Sequence, residues 1–206
     1  MEILKTTNIS IILLAAGQSS RMGSPKQLLL YKGKTLIQNS IDLTEKIGLN
    51  TVAVVGAYSE QIIGQTDFKH VKIEVNAVWH EGMSSSLQCG LSYLLRSNPD
   101  TEAIIVILCD QPLLTSQVII NIVRKYQETF SPIVHCNYGE TTGPPTLFHK
   151  STFSYIMELT GDQGGKNVIN LFSEKVVYVD FQGGEFDIDT TENFNHLLNM
   201  DDGSVF

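Results

Sequence analysis

Short runs of β-branched and aliphatic residues alternate along the chain with longer amphipathic stretches. Such runs are typical of strands, whereas apolar residues spaced three and four positions apart are typical of helices. The runs predict strands at Ser10–Leu14, Thr51–Val55, Val71–Val75, Ala103–Leu108, Ser131–His135 and Val176–Val179. The amphipathic stretches predict helices at Leu36–Lys46, Ser59–Gly64, Ser84–Arg96, Ser116–Thr129, Ser151–Leu159, Lys166–Phe172 and Glu192–Leu198.

Two of the predicted strands are apolar at every position, in residues 11–14 and 104–108. Parallel strands that are covered by helices on both faces have this pattern. The alternation of strands and helices therefore predicts an α/β fold, with an open, mostly parallel sheet and helices on both faces. In such a sheet the ligand crevice lies beyond the carboxyl ends of the strands, so the residues that follow each strand are candidates for a site.

Length and composition limit the kind of protein. The 206 residues, 42% of them hydrophobic, predict a single domain over residues 1–206, with a flexible tail at about 200–206. A net charge of −8 without a basic stripe argues against a nucleic-acid partner. The longest apolar run, residues 9–16, is too short to cross a membrane, and the N-terminus lacks an export signal; we therefore expect a cytoplasmic protein. Cys89, Cys109 and Cys136 are odd in number and widely spaced, which is typical of reduced thiols.

The first predicted strand leads into a loop of small residues, Ala15-Ala16-Gly17-Gln18-Ser19-Ser20, which is followed by Arg21, Gly23 and Lys26. Small residues let backbone N–H groups approach phosphate oxygens, and the two cations supply the compensating charge. The glycine spacing and Ser24-Pro25 do not match a Walker loop, and the second glycine of the dinucleotide fingerprint is absent. The loop therefore predicts a phosphate site of another kind.

A carboxylate is expected at the rim of the same sheet. Asp110 follows an apolar strand and precedes Gln111-Pro112, a rigid turn. Its hard oxygens suit Mg²⁺, which keeps several waters and bridges to substrate phosphates. Later in the chain, Asp187 and Asp189 alternate onto one side of an extended stretch. We predict Asp187 as the second metal ligand; Asp189 as that ligand, or Thr190 as the cap of the last helix, are the alternatives.

The pattern Leu-Ala-Ala-Gly-x-Ser-x-Arg-Met-Gly-x-Pro-Lys at residues 14–26 resembles the MobA-like nucleotidyltransferases that act on molybdenum cofactor, and within them the cytidylyltransferase group. Residues 186–194 resemble the family's Asp-Ile-Asp-Thr-Pro-Glu-Asp segment, with Thr191 in place of the proline and Asn193 in place of the last aspartate. The resemblance implies a Rossmann-like fold of the nucleotide-diphospho-sugar transferase type. It also implies a Mg²⁺-bound nucleoside triphosphate, a phosphorylated acceptor, and Asp110 as the metal-binding aspartate.

Three further segments resemble family elements. Residues 82–87 resemble Gly-Met-x-x-Ser-Leu, which lies against the nucleotide, and a helix start rich in N–H groups and hydroxyls suits an anion. Residues 143–148 and 161–166 resemble elements that border the acceptor pocket. Gly165 and Lys166 stand in place of the family's alanine and arginine, and lysine keeps the charge but cannot bind a phosphate through two N–H groups as arginine does. The predicted nucleotide-binding residues are Leu14, Ala15, Ala16, Gly17, Arg21, Gly23, Lys26, Gly82, Ser84 and Ser85. The predicted acceptor-binding residues are Gly143, Pro144, Pro145, Gly161, Asp162 and Gly164.

We predict Arg21, Lys26 and Asp110 as the catalytic residues. A terminal phosphate is largely deprotonated near neutral pH, so its attack on a triphosphate needs no general base. Catalysis would then consist of positioning and charge neutralisation. This prediction requires the two cations and the carboxylate to converge in the folded chain.

The resemblance implies transfer of CMP from CTP to the terminal phosphate of molybdenum-molybdopterin, because Ala-Ala-Gly is similar to the cytidylyl branch and the guanylyl branch shows Leu-Ala-Gly-Gly. A molybdenum hydroxylase such as xanthine dehydrogenase is the expected transient partner. One alternative is a molybdopterin guanylyltransferase. A second is a methylerythritol-phosphate cytidylyltransferase, which shares Pro-Lys-Gln but carries an Asp-x-Ala-Arg-Pro motif that is absent here. The third is a non-catalytic carrier of the cofactor.

Overall fold

The computed structural model describes residues 8–201 and contains an alternating series of strands and helices. The strands are β1 (Ile9–Ala15), β2 (Leu30–Tyr31), β3 (Lys34–Thr35), β4 (Asn50–Val55), β5 (Lys72–Val75), β6 (Ala103–Leu108), β7 (Ile133–Asn137), β8 (Thr142–His149) and β9 (Val176–Asp180). The helices are α1 (Leu36–Ile47), α2 (Ser59–Gln65), α3 (Met83–Ser97), α4 (Ser116–Thr129), α5 (Phe153–Met157), α6 (Lys166–Leu171) and α7 (Thr191–Asp201).

Seven strands form one sheet in the order β5-β4-β1-β6-β8-β7-β9, and β2 pairs with β3 in a small hairpin. Strand β1 runs parallel to both of its neighbours, β4 and β6, whereas β8 is antiparallel to β6 and β7. The predicted open, mostly parallel sheet is confirmed. Because Leu14 is the register partner of Leu108, the carboxyl ends of β1 and β6 lie side by side.

Strand β8 is absent from the sequence prediction. Gly143-Pro144-Pro145 lies in its first half, and proline is uncommon in interior strands because it cannot donate a backbone hydrogen bond. The structure accommodates the two prolines at an irregularity, where the register between β7 and β8 shifts between His135 and Cys136. Regular pairing resumes at Thr146. A bulge of this kind redirects the chain locally without ending the strand.

Helices cover both faces of the sheet, as predicted. One apolar layer contains Ile37 and Ile41 of α1, Ile62 of α2 and Ile119 and Ile122 of α4, all fully buried. The opposite layer is formed by α3, α5 and α6. Alternate residues of each strand point to opposite faces, so the apolar strands β1 and β6 contribute to both layers.

The last helix packs away from the sheet, on the hairpin. Tyr31 and Leu36 form a small buried cluster with Ile188 and Leu197. Thr190 Oγ1 accepts a hydrogen bond from the N–H of Asn193 at the start of α7, so the alternative in which Thr190 caps this helix is confirmed. Of the tail predicted at about 200–206, Met200 and Asp201 lie in α7, and residues 202–206 lie outside the described part.

Smaller expectations are also resolved. The helix predicted at Ser151–Leu159 is shorter, because a 3-10 turn over Lys150–Thr152 precedes α5. The three cysteines are free thiols, two of them buried, as predicted. In residues 8–201 no helix has the length and apolar character needed to span a membrane.

Candidate active site

The loop after β1 is held in shape by a buried glutamine. Gln27 is 1% exposed, and its side-chain amide donates to the carbonyl oxygens of Ala15 (3.0 Å) and Gly17 (2.8 Å). The backbone N–H of Lys26 donates to Ser19 Oγ, which closes the loop on itself. With two carbonyls bound to Gln27, the small residues of the loop form a fixed wall at the end of β1.

Three separate segments bring their charges together beside this loop. Lys26 Nζ lies 2.5 Å from Asp110 Oδ2 and 2.8 Å from Asp189 Oδ1. Arg21 contacts the other carboxylate oxygen of Asp189, at 3.3 Å. The loop after β1, the end of β6 and the segment before α7 therefore meet at one point, and the expected convergence of the two cations with Asp110 is present.

The three ion pairs differ in their exposure to solvent. The side chains of Lys26 and Asp110 are 13% and 14% exposed, whereas that of Arg21 is 72% exposed. Burial alone would lower the pKa of Lys26, but Asp110, with Asp189 beside it, raises that pKa above its ordinary value. The lysine is therefore charged at neutral pH. The hydrogen bond from Lys26 in turn lowers the pKa of Asp189.

The carboxylates leave capacity for a further cation. Asp110 Oδ1 is buried and has no hydrogen-bond partner in the described part of the chain. The N–H of Ile188 donates to the Asp110 carbonyl oxygen (3.0 Å), which fixes the segment that carries Asp187 and Asp189 against the end of β6. Burial, and then the charges of Asp189 and Asp110, raise the pKa of Asp187. Within residues 8–201 no three or more His, Cys, Asp or Glu side chains form a ready metal site.

A cavity of about 410 Å³, here called the loop cavity, opens between this cluster and the start of α3. One wall is the loop from Ala15 to Ser20 with Lys26, Gln27 and Asp110. The facing wall is formed by Trp79, His80, Gly82, Met83, Ser86 and Asp162. Gly82 precedes α3 without a side-chain cap, so first-turn N–H groups of this helix remain available at the cavity.

The start of α3 differs in detail from the prediction. Ser86 lines the loop cavity, whereas Ser84 and Ser85 do not. Ser85 Oγ donates to the Gly82 carbonyl oxygen (2.8 Å) and accepts a hydrogen bond from Asn76, so its hydroxyl is used to close the helix start. Helical geometry explains the difference, because Ser86 is one turn from Gly82 and Met83 and shares their face.

A second cavity, here called the sheet cavity, has a volume of about 370 Å³ and lies between the sheet and helices α3 and α6. Its floor consists of strand side chains: Leu14, Val106, Leu108, His135, Thr146 and Phe148. Its roof includes Met83, Leu87, residues 162–166 and Ile169. The two cavities share Leu14, Met83, Leu108 and Asp162, so they are adjacent compartments of one crevice.

The predicted site residues divide into two groups. The residues that line a cavity are Leu14, Ala15, Ala16, Gly17, Lys26, Gly82 and Asp110 around the loop cavity, and Gly143, Pro144, Asp162 and Gly164 around the sheet cavity. The residues that line neither are Arg21, Gly23, Ser84, Ser85, Pro145, Gly161 and Asp187. The crevice also contains residues that were not predicted as site residues: Gln27, Trp79, Ser86 and His135. Asp189, the alternative metal ligand, lines neither cavity but pairs with Lys26 and Arg21.

Comparison with known proteins places this crevice in a family. Residues 11–176 match the family described as the MobA-like NTP transferase domain. The chain belongs to this family. The matched region runs from β1 to the start of β9, so it includes the loop after β1, Asp110 and both cavities.

Individual relatives support the assignment. The chain is 35% identical over 106 residues to nicotine blue oxidoreductase of Paenarthrobacter nicotinovorans, a match that spans 50% of each protein. It is 23% identical over 185 residues to the probable molybdenum cofactor guanylyltransferase of Bacillus cytotoxicus, with 89% of each chain covered. Among solved structures, Rv0371c of Mycobacterium tuberculosis H37Rv is similar, with a TM-score of 0.80, 26% identity, and coverage of 94% of this chain and 98% of that one.

Proposed function

We propose that this protein is a Mg²⁺-dependent nucleotidyltransferase that moves CMP from CTP to the terminal phosphate of molybdenum-molybdopterin. An acceptor phosphate oxygen forms a bond to the α-phosphorus of CTP, the bond from that phosphorus to the bridging oxygen breaks, and pyrophosphate leaves. The observation that carries the proposal is the convergence of Lys26, Arg21 and Asp110 beside a loop of small residues. A polyphosphate needs this combination of backbone N–H groups and cations.

A divalent metal fits the charges of this site. Asp110 and Asp189 pair with the two cations, the charges of both carboxylates act on nearby Asp187, and Asp110 Oδ1 has no hydrogen-bond partner among the described residues. Asp110, through its unpartnered Oδ1, and Asp187 are the proposed ligands, because both carboxylate oxygens of Asp189 are already paired, with Lys26 and Arg21. Mg²⁺ bound there would neutralise phosphate charge, and it commonly takes only one or two protein carboxylates. The similar protein Rv0371c is known as a complex with manganese.

The chain's own residues would then orient and stabilise the reacting groups. Lys26 lies at the shielded end of the loop cavity, where its charge acts with little screening on the negative charge that accumulates on the phosphates. Arg21, at the solvent side, would bind the outer end of the triphosphate. The acceptor phosphate supplies its own nucleophile, so no residue is assigned as a general base.

The preference for CTP rests on Ala16, which stands where the guanylyl branch has glycine. Ala16 is 5% exposed and lines the loop cavity. The wall behind it is closely packed: a Cβ built on Gly56 would lie 2.9 Å from the Ala16 Cβ and 2.6 Å from the Trp79 Cβ. Ala16 therefore cannot move back toward Gly56, and the proposal is that alanine at this position, in place of glycine, favours the smaller pyrimidine base. Ala16→Gly should increase the use of GTP relative to CTP.

The decisive experiment incubates the full chain with molybdenum-loaded molybdopterin, Mg²⁺ and each of the four triphosphates, and measures pyrophosphate release and product mass. We expect a cytidylylated product, and its loss in Lys26→Ala and Asp110→Ala. Lys150→Ala is the matched control, because Lys150 pairs with Glu102 on the exposed surface, 3.5 Å away. Undiminished pyrophosphate release from either site variant would overturn the assignment.

The same assay separates the alternatives. Product formation with GTP alone would identify a guanylyltransferase. Turnover with methylerythritol phosphate in place of molybdopterin would identify a methylerythritol-phosphate cytidylyltransferase. A cofactor carrier would be stabilised against heat by molybdopterin alone, whereas a transferase would also be stabilised by CTP with Mg²⁺, because a ligand that binds only the native state raises its stability.

A further inference from the structure

The sheet cavity interrupts the second apolar layer of the protein. Along β7, Val134 and Cys136 are buried in the layer on the opposite face, so His135 between them points to the α3 and α6 side. There it lines the cavity with Leu14, Leu108 and Phe148, all apolar. Packing of an apolar floor does not require a histidine at this position, so His135 is a candidate for binding a ligand.

His135 forms a buried polar pair with Thr146 of the neighbouring strand. The two residues are direct register partners, and they are 6% and 3% exposed. His135 Nδ1 lies 2.8 Å from Thr146 Oγ1. The other ring nitrogen, Nε2, has no hydrogen-bond partner among the described residues and is not enclosed by protein, because His135 lines the cavity. An imidazole nitrogen that is open to a cavity can donate to or accept from a ligand atom there.

The pair is neutral and can reverse its polarity. Burial lowers the pKa of His135 to about 4, so the ring is uncharged at neutral pH. If Nδ1 donates to Thr146, Nε2 is an acceptor; if the threonine hydroxyl donates, Nε2 carries the proton and is a donor. An uncharged ligand edge with alternating N–H and C=O or ring-nitrogen groups matches such a pair.

We propose that His135 and Thr146 are specificity-determining residues, which bind the edge of a flat, uncharged nitrogen heterocycle lying on the floor of the sheet cavity. The charged lining residues, Asp162 and Lys166, are exposed at the roof, so a charged ring would be left uncompensated on the floor. Leu14 and Leu108 connect this floor to the loop cavity, which lets a phosphate arm of the same ligand extend toward Lys26.

This inference rests on the proposed function in one respect: the proposed function identifies the heterocycle as part of the acceptor. It also explains how the site would reject a small polyol phosphate. Such an acceptor would leave the apolar floor uncovered and the histidine without a partner, and a buried polar group left unpaired reduces affinity.

The test measures binding of unsubstituted pterin to the full chain in the absence of nucleotide, by quenching of pterin fluorescence and by calorimetry. We expect His135→Leu and Thr146→Val to weaken binding about 10-fold or more, as for a lost buried hydrogen bond. His135→Gln, which keeps a donor and an acceptor, should restore most of the affinity. His149→Gln is the matched control, because His149 bonds to Ser151 and does not line the cavity.

A kinetic readout distinguishes a specificity role from a general structural one. In the transfer assay His135→Leu should raise the KM for the acceptor and leave the KM for the triphosphate unchanged. If pterin does not bind, or binds His135→Leu and Thr146→Val as tightly as the native chain, the inference is wrong even if transfer is observed. If pterin binding depends on His135 but no nucleotide is transferred, the inference holds and the proposed function fails. Thr146→Val decides the matter if His135→Leu does not fold.

Discussion

The loop cavity and the sheet cavity share four residues but differ in the chemical groups that line them. One wall of the loop cavity is a continuous backbone segment with a shielded ion pair, Lys26 with Asp110, and the facing wall is the start of α3 with Trp79 and Asp162. The sheet cavity is lined by side chains from four strands, with the neutral His135 as a buried polar group on its floor. One compartment thus suits a charged, hydrated polyphosphate, and the other suits an uncharged ring.

This difference bears on the proposed function, in which one crevice holds two unlike substrates in contact. The charged cluster lies where the loop after β1 and the segment after β6 meet, and the apolar floor begins at Leu14 and Leu108, within the last two residues of those strands. The wall shared by both compartments is the place where a single change should affect both.

Gly82 provides the most severe test of that shared wall. Its φ of +102° lies in a region that favours glycine, and a Cβ there would come within 2.4 Å of the Gly161 carbonyl carbon and 2.6 Å of Asp162 Oδ1. We expect Gly82→Ala to lower the free energy of unfolding by about 3 kcal/mol or more and to displace Asp162 from both cavities. Urea unfolding measures the first effect, and CTP and pterin binding measure the second. Gly64→Ala, in α2 with open space around it, should be neutral or slightly stabilising.

His135 tests the sheet cavity alone, through the pH dependence of stability. Its pKa is about 4 in the folded chain and about 6.5 when unfolded. Between these values the unfolded chain binds a proton that the folded chain excludes, so stability falls as the pH is lowered from 7 to 4, by up to about 3 kcal/mol. His135→Gln should remove this part of the loss, measured as the difference between the two proteins in urea unfolding at each pH. Equal losses in both proteins would contradict a buried neutral histidine.

Gln27 tests the loop cavity alone. Gln27→Glu keeps the shape of the side chain but replaces the two N–H groups that bind the Ala15 and Gly17 carbonyl oxygens. We expect a loss of about 2 kcal/mol in the free energy of unfolding and weaker binding of CTP with Mg²⁺, while pterin binding is retained. Gln117→Glu, at an exposed position of α4, controls for the added charge. A loss of pterin affinity of similar size would show that the two cavities are not independent.

The same contrast explains what could be predicted from the sequence. Arg21, Lys26 and Asp110 follow strands that are recognisable by their composition, and the ends of adjacent parallel strands must lie together, so their convergence was predictable. The pairing of His135 with Thr146 was not, because Thr146 lies in β8, a strand that its two prolines conceal from sequence analysis. The serine-rich helix start was recognisable, but the position of each residue around the helix places Ser86, rather than Ser84 or Ser85, on the side that lines the loop cavity. Local chemistry was therefore readable, whereas side chains that meet through long-range pairing were not.

Arg21 gives the smallest expected effect on stability and sharpens the comparison within the loop cavity. Its partner Asp189 is 42% exposed, and exposed ion pairs contribute between 0 and about 1 kcal/mol because water and salt screen them. Arg21→Ala should therefore leave urea unfolding almost unchanged, whereas Lys26→Ala leaves the shielded carboxylate of Asp110 unpaired and should be clearly destabilising. Transfer should still fall in Arg21→Ala, by about 10-fold, and Arg21→Lys should recover part of it, because lysine keeps the charge but loses the fork. If Arg21→Ala instead destabilises the chain as much as Lys26→Ala, the guanidinium supports the fold, and the triphosphate must be held by Lys26 and the loop alone.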